Sequence, residues 1–92
     1  MTQIKKWNYG NYSNNYGAHC IAIDVGSLTL YFSYDTVVAF TDDSGLVISE
    51  NNWGSTTGKH LNAISENKKL RIPRADFEAK LNEVLKKHDL SI

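Results

Sequence analysis

A single cysteine, Cys20, stands among 92 residues. No internal disulfide can form, and a cysteine-based zinc cluster is excluded. The three histidines, His19, His60 and His88, share no HxxxH or HExxH spacing, so a metal site has no support in the pattern. Charge of one sign is missing as well: ten Lys and Arg balance ten Asp and Glu. No whole-molecule field draws the chain to nucleic acid or membrane, and any such binding has to come from a local patch. The longest unbroken apolar runs, Val37–Phe40 among them, reach four residues, far short of the roughly 20 that a membrane span needs. The opening MTQIKKWNYG lacks the apolar core of a secretory signal, and a cytoplasmic protein is the expectation. Cys20 falls among apolar residues, where a buried, inert thiol is expected. Asp42 and Asp43 share a turn, but the calcium-loop pattern does not continue. Nothing sets a nucleophile beside a base or pairs an acid with a base. The chain reads as a non-enzyme without a cofactor.

What is present fits one ordinary globular domain over residues 1–92, with apolar residues at 41% and room for one modest core. Ile4 to Tyr9 reads as an edge strand, and NYSNNYG after it as a loop rich in turn-forming residues. Ile21 and Ile23 alternate with Ala22 and Asp24. After Gly26-Ser27, Leu28, Leu30, Phe32 and Tyr34 alternate with Thr29, Tyr31 and Ser33. Two period-2 runs split by a glycine turn make a hairpin. Thr36–Thr41, the turn Asp42–Gly45 and Leu46–Glu50 make a second. The expected architecture is α+β: an antiparallel meander of four strands, or five with the N-terminus, a short helix, and a C-terminal amphipathic helix packed on the sheet. Leu28, Leu30, Phe32, Val38, Phe40, Leu46 and Ile48 are expected on its one buried face. Ser55 or Thr56 is expected to cap the short helix, with Leu61 and Ile64 facing inward and Trp53 pinning the entry. Lys68–Ile72 reads as a short strand. Pro73 opens the final helix, whose stripe Phe77, Leu81, Val84, Leu85 and His88 repeats at helical spacing.

Two groups of residues are candidates for binding. Gly54 and Gly58 flank three hydroxyl residues, with Lys59 following at once. The stretch differs from a nucleotide-binding P-loop: it has three residues between the glycines instead of four, and His60 stands where a magnesium-binding hydroxyl belongs. A weaker reading is a candidate anion site at Ser55, Thr56, Thr57 and Lys59, on the start of a helix. Lys59, Lys68, Lys69, Arg71 and Arg74 cluster in sequence and form a candidate contact for phosphates or for an acidic protein. Trp7, Tyr9, Tyr12 and Tyr16 lie among Asn, Ser and Gly, a composition that packs over a sheet edge or forms an adaptable binding surface. Tyr9, Tyr12 and Tyr16 join the candidates on the second ground.

Thr36–Phe40 followed by Asn52–Asn62 resembles an uncharacterised domain family of phages and mobile elements. In it a strand ending in V-A-F precedes a tryptophan, a T-T-x-K-H-L helix and a basic strand before the last helix. The resemblance implies origin and fold more than activity. Lys69–Leu81 resembles the tail of excisionase-type DNA-binding domains, where a wing strand leads into a helix. The resulting expectation is an accessory protein that binds and occludes a host protein or ribonucleoprotein complex, in the manner of an anti-CRISPR inhibitor. The alternative is a nucleic-acid-binding accessory factor using the basic stretch 59–74. A third reading is a sponge for a phosphate or nucleotide ligand at the helix start.

Overall fold

Alternating side chains and tight turns fold the chain back on itself repeatedly, so each strand pairs with its neighbour in sequence. The computed structural model describes residues 4–9 and 20–90, the side chains of Ser55 and Thr56 excepted. The strands are β1 (Ile4–Asn8), β2 (Cys20–Val25), β3 (Leu28–Ser33), β4 (Thr36–Asp42), β5 (Gly45–Ser49) and β6 (Arg71–Ile72). They form one sheet in the order β1-β2-β3-β4-β5-β6. Every pair is antiparallel except β5–β6, which is parallel. Helix α1 (Ser55–Ile64) lies between β5 and β6, and helix α2 (Arg74–Lys87) ends the fold. A parallel neighbour requires a crossover, and α1 supplies it.

The α+β class holds, with six strands where four or five were expected. The sixth is shorter than its sequence suggested. Lys68–Leu70 forms a 3-10 turn, capped by the Asn67 side chain accepting from Lys69 N–H at 3.1 Å, and only Arg71–Ile72 pairs with the sheet.

Two faces of the sheet are buried where one was expected. The sheet is covered on both sides. On one, Leu28, Leu30, Val37 and Phe40 are buried with Phe77, Leu81, Val84 and Leu85 of α2, and Phe32, Val47 and Ile72 pack against them. On the other, Val38, Ala39 and Ile48 are buried with Leu61 of α1, joined by Tyr31, Leu46 and Ile64. Val38, Leu46 and Ile48 therefore do not share a face with Leu28, Leu30, Phe32 and Phe40.

The β4–β5 register is the reason for Leu46 and Ile48, since Val47 between them pairs with Phe40, and a β-bulge is the reason for Val38. Tyr31 pairs with Ala39 while Phe32 pairs with Val37, which leaves Val38 without an opposite residue. One extra residue reverses the period-2 alternation downstream. Val37 and Phe40 consequently point to the same side although three positions separate them. All of Val37–Phe40 is buried, as suits a central strand covered twice.

Helix ends follow local chemistry. Pro73 is the N-cap of α2, one residue ahead of the helix, with φ −53° and ψ 144°. At the other end Asp89 takes φ 57°. Asp89 N–H donates to Lys86 O at 3.1 Å and Leu90 N–H to Leu85 O at 2.8 Å, and Leu90 packs on the core. This is a Schellman cap with its usual hydrophobic contact. Helix α1 starts at Ser55 with Gly54 as its N-cap and no side-chain cap bond, so the expected Ser55 or Thr56 cap is replaced by an extended glycine. No helix among the described residues is long and apolar enough to cross a membrane.

Candidate functional site

The segment between β5 and α1 is held by one asparagine. Asn51 Oδ1 accepts from Trp53 N–H at 2.9 Å, and Asn51 Nδ2 donates to Gly54 O at 3.3 Å. A Cβ at Gly58 would lie 3.1 Å from Asn51 Nδ2, so a side chain there would press on the residue that shapes the loop. This fixed turn presents Trp53, which is 40% exposed. The Arg74 guanidinium lies 5.1 Å from its ring centroid and 4.9 Å from that of Phe77. Trp53 is therefore an exposed indole braced by a cation, where a partly buried pin between sheet and helix was the expectation.

Tyr34 stands across from it. The sequence places Tyr34 at the end of a strand, but β3 stops at Ser33, and Tyr34-Asp35 makes the two-residue turn to β4. Its φ is 56°, a backbone region that bulky residues seldom adopt and that costs on the order of 1–3 kcal/mol. Hairpin turns of this length ordinarily place Gly or Asn at such a position. The side chain is 49% exposed. Ser33, Tyr34, Thr36, Val38, Trp53 and Thr57 line a recess of about 90 Å³.

Behind the recess lies a buried polar group. Ser33 Oγ is 3.0 Å from Thr57 Oγ1 and 2.7 Å from His60 Nδ1. Ser33, Thr57 and His60 are all buried, His60 completely. Thr57, His60, Leu61 and Ile64 recur at i, i+3, i+4 and i+7, so they form the inward stripe of α1. Two polar residues lie in that stripe because Ser33 meets them from the sheet, and satisfied polar groups can be buried at little cost. Aromatic rings surround the imidazole: Tyr34 at 5.9 Å and Tyr9 at 6.3 Å between centroids.

The residues singled out by sequence separate on this framework. Tyr9 is half-buried; its hydroxyl donates to Phe32 O at 2.8 Å and its ring meets Tyr31 edge-on at 5.3 Å. It ties β1 to the sheet face under α1. Tyr12 and Tyr16 lie outside the described residues. Thr57 of the candidate anion site turns its hydroxyl inward to Ser33, while Lys59 is exposed; Ser55 and Thr56 open the helix, and their side chains lie outside the description. Lys68 and Lys69 are exposed. Arg71 Nη2 donates to Asn62 Oδ1 at 2.7 Å, joining β6 to α1. Arg74 Nη1 donates to Val37 O at 2.8 Å and its Nε pairs with Glu78 at 3.0 Å. Arg71 and Arg74 thus hold elements together, and Lys59, Lys68 and Lys69 are the exposed cations of the set. Cys20 is fully buried, its thiol donating to Asn8 Oδ1 at 3.2 Å. Among the described residues no cluster of His, Cys, Asp and Glu is arranged to hold a metal ion.

Sequence reasoning missed Ser33, Tyr34 and His60 as a group. A signal was available for Tyr34, a bulky residue before Asp in a two-residue gap between alternating runs. For Ser33 and His60 there was none without knowing which helix covers which face.

The chain belongs to a family of unknown function, DUF8033, whose model matches residues 2–79. The matched span includes the recess, the buried polar group and Arg74. No curated protein and no solved structure is significantly similar to the chain.

Proposed function

We propose that the chain acts by binding a macromolecular partner through the face around Trp53 and Tyr34, and by occluding that partner. The observation that supports this reading is the pairing of two exposed aromatics across one recess, each held in place before any partner arrives. Trp53 is fixed by the Asn51 turn and braced by Arg74, and Tyr34 is held in an unfavourable backbone conformation. Trp, Tyr and Arg are the residues that most often dominate binding energy at protein interfaces. Pre-ordered aromatics lose little entropy on binding.

The concrete form is an accessory protein of a phage or mobile element that inhibits a host defence complex from within the host cytoplasm. Its support is the resemblance carried by Thr36–Phe40 and Asn52–Asn62, together with analogy to small occluding inhibitors. The exposed lysines Lys59, Lys68 and Lys69 support a second reading, a nucleic-acid contact. Zero net charge favours the protein partner. Capture from host lysate with Trp53→Ala and with a Lys68→Ala, Lys69→Ala pair tests the choice. Loss of a nuclease-resistant partner in the first and retention in the second supports the aromatic face; a nuclease-sensitive partner kept by the first and lost by the second supports nucleic acid.

A further inference from the structure

One margin of the sheet is β1, and its charge is of one sign. Residues 1–23 carry Lys5 and Lys6 and no acid. Both lysines are exposed, and Ile4 beside them is 72% exposed. In the sheet β1 neighbours β2, and among the described residues nothing pairs with its other side. A strand edge of this kind presents a row of backbone donors and acceptors to a further strand.

The phase of the β1–β2 ladder decides which groups those are. Tyr9 N–H donates to Cys20 O at 3.1 Å, continuing the register that sets Asn8 opposite Ile21 and Trp7 opposite Ala22. Bonded pairs alternate with non-bonded pairs in an antiparallel ladder. Trp7–Ala22 and Lys5–Asp24 are therefore bonded pairs, and the N–H and C=O groups of Ile4 and Lys6 point away from β2.

Side chains follow the same register. Ile4 stands opposite Val25 and Lys6 opposite Ile23, and these two pair with Leu28 and Leu30 of the side that carries α2. Residues directly opposite share a face. Ile4, Lys6 and the half-buried Ile23 and Val25 thus form one patch beside the α2 core. Lys5 is on the other face, with Asp24 opposite it. Lys6 has an isoleucine in that place and no acid.

An extended segment is what satisfies such an edge through its backbone, and its side chains give the specificity. The residue beside Ile4 is apolar. The residue beside Lys6, two positions along on the same face, is acidic, because opposite charges across a strand pair attract. A second copy of this chain fits poorly. Two-fold antiparallel pairing within β1 that uses both Ile4 and Lys6 sets Lys5 against Lys5 or Lys6 against Lys6, and like charges directly opposite repel. The lysines that deter self-pairing are the groups that admit an acidic strand.

We propose that β1 is a docking edge for an extended strand of a partner protein, with an acidic residue beside Lys6 and an apolar residue beside Ile4. This surface is separate from the Trp53 face, which is built on the β3–β4 turn and the segment between β5 and α1, and it does not depend on the reading given for that face.

The experiment uses the isotope-labelled protein and a capped heptapeptide, Thr-Val-Thr-Glu-Thr-Val-Thr. The peptide reads the same in both directions, so it can meet the edge in either orientation. In the free protein, amide hydrogen exchange is expected to be fast at Ile4 and Lys6 and slower by about tenfold or more at Lys5 and Trp7, which are bonded to β2. Millimolar peptide is expected to shift the Ile4 and Lys6 amide resonances saturably and to slow their exchange. The same peptide with lysine in place of glutamate should bind roughly fivefold more weakly, and Lys6→Glu should reverse that preference. Ile4 and Lys6 amides as protected as those of Lys5 and Trp7 in the free protein overturn the proposal. So do shifts that never saturate, equal binding of the two peptides, or an unchanged preference in folded Lys6→Glu. Protection at Ile4 that rises with protein concentration alone also overturns it, because a second copy then occupies the edge. If Lys6→Glu does not fold, the two peptides on the native protein decide.

Discussion

Replacing Arg74 with Met tests whether this residue holds the fold together or serves as a binding group. Its Nη1 donates to the Val37 carbonyl at 2.8 Å, beside the bulge where the β3–β4 ladder is interrupted. A hydrogen bond from a charged donor contributes about 1.5–3 kcal/mol. The rings of Trp53 and Phe77 lie 5.1 and 4.9 Å from the guanidinium carbon, each worth roughly 0.5–1 kcal/mol at a site open to solvent. The Glu78 pair adds little, about 0.5 kcal/mol or less, because the two side chains are 19% and 57% exposed and water screens them. Methionine retains part of the stem packing, and interactions that share one group do not add. The expected net loss for Arg74→Met is about 2–3 kcal/mol. Glu78→Gln should cost about 0.5 kcal/mol or less. Arg74→Lys should recover only part of the loss, since one ammonium cannot reproduce the fork that reaches Val37 and Glu78 together. Urea unfolding of the three variants, compared by midpoint at constant slope, supplies the numbers. Arg74→Met within about 0.5 kcal/mol of the native protein would refute the reasoning and return Arg74 to the exposed basic set.

Leu81→Ala removes a side chain 7% exposed from the α2 core and should cost about 2–5 kcal/mol, read as a lowered melting temperature; an unchanged melt would mean that α2 is not docked. Ser33→Ala leaves His60 Nδ1 and Thr57 buried without their shared partner and should cost about 1–3 kcal/mol, whereas a neutral result by urea unfolding would mean the three groups are satisfied elsewhere. The Thr29 hydroxyl, donating to Asp24 Oδ1 at 2.7 Å, holds the Asp24 carboxyl below its ordinary range, with the Trp7 indole a lesser influence that falls outside full hydrogen-bond geometry. A lowered folded value means the contribution is present above the ordinary carboxylate range and is lost as pH falls through the folded value. The stability gap between native and Thr29→Val should therefore be open at pH 7 and close in acid, and a gap independent of pH would contradict the assignment.

The hairpins were legible because their signals are local. Gly26 at φ 61° and Gly45 at φ 110° sit in the turns that the sequence marked, and Asp42 accepts from Ser44 N–H as its turn chemistry implies. The α2 stripe of Phe77, Leu81, Val84 and Leu85 was equally plain, since its 3.6-residue period needs no partner to be read. What was not legible depended on registry between distant elements. The bulge at Val38 looks in sequence like one more β-branched residue, and only the pairing of Tyr31 with Ala39 and of Phe32 with Val37 reveals it. Val38 was assigned to the wrong side because of that bulge, and Ile48 because Phe40 pairs with Val47, which turns the neighbours of Val47 to the other face. The site was harder still. Arg74 appears as one cation of a cluster until Val37, Trp53 and Phe77 are placed around it. His60 appears as the residue after a lysine until Ser33, far away in sequence, meets it inside.

The most direct test of the partner-binding face compares three baits in nuclease-treated host lysate: the native protein, Trp53→Ala, and the Lys68→Ala, Lys69→Ala pair. All three should fold, since these side chains are exposed, and far-ultraviolet circular dichroism verifies it. The expected result is a stoichiometric protein partner held by the native and lysine-pair baits and lost at least tenfold with Trp53→Ala. A partner that ignores Trp53→Ala, or one that is lost with the lysine pair, would contradict the proposal.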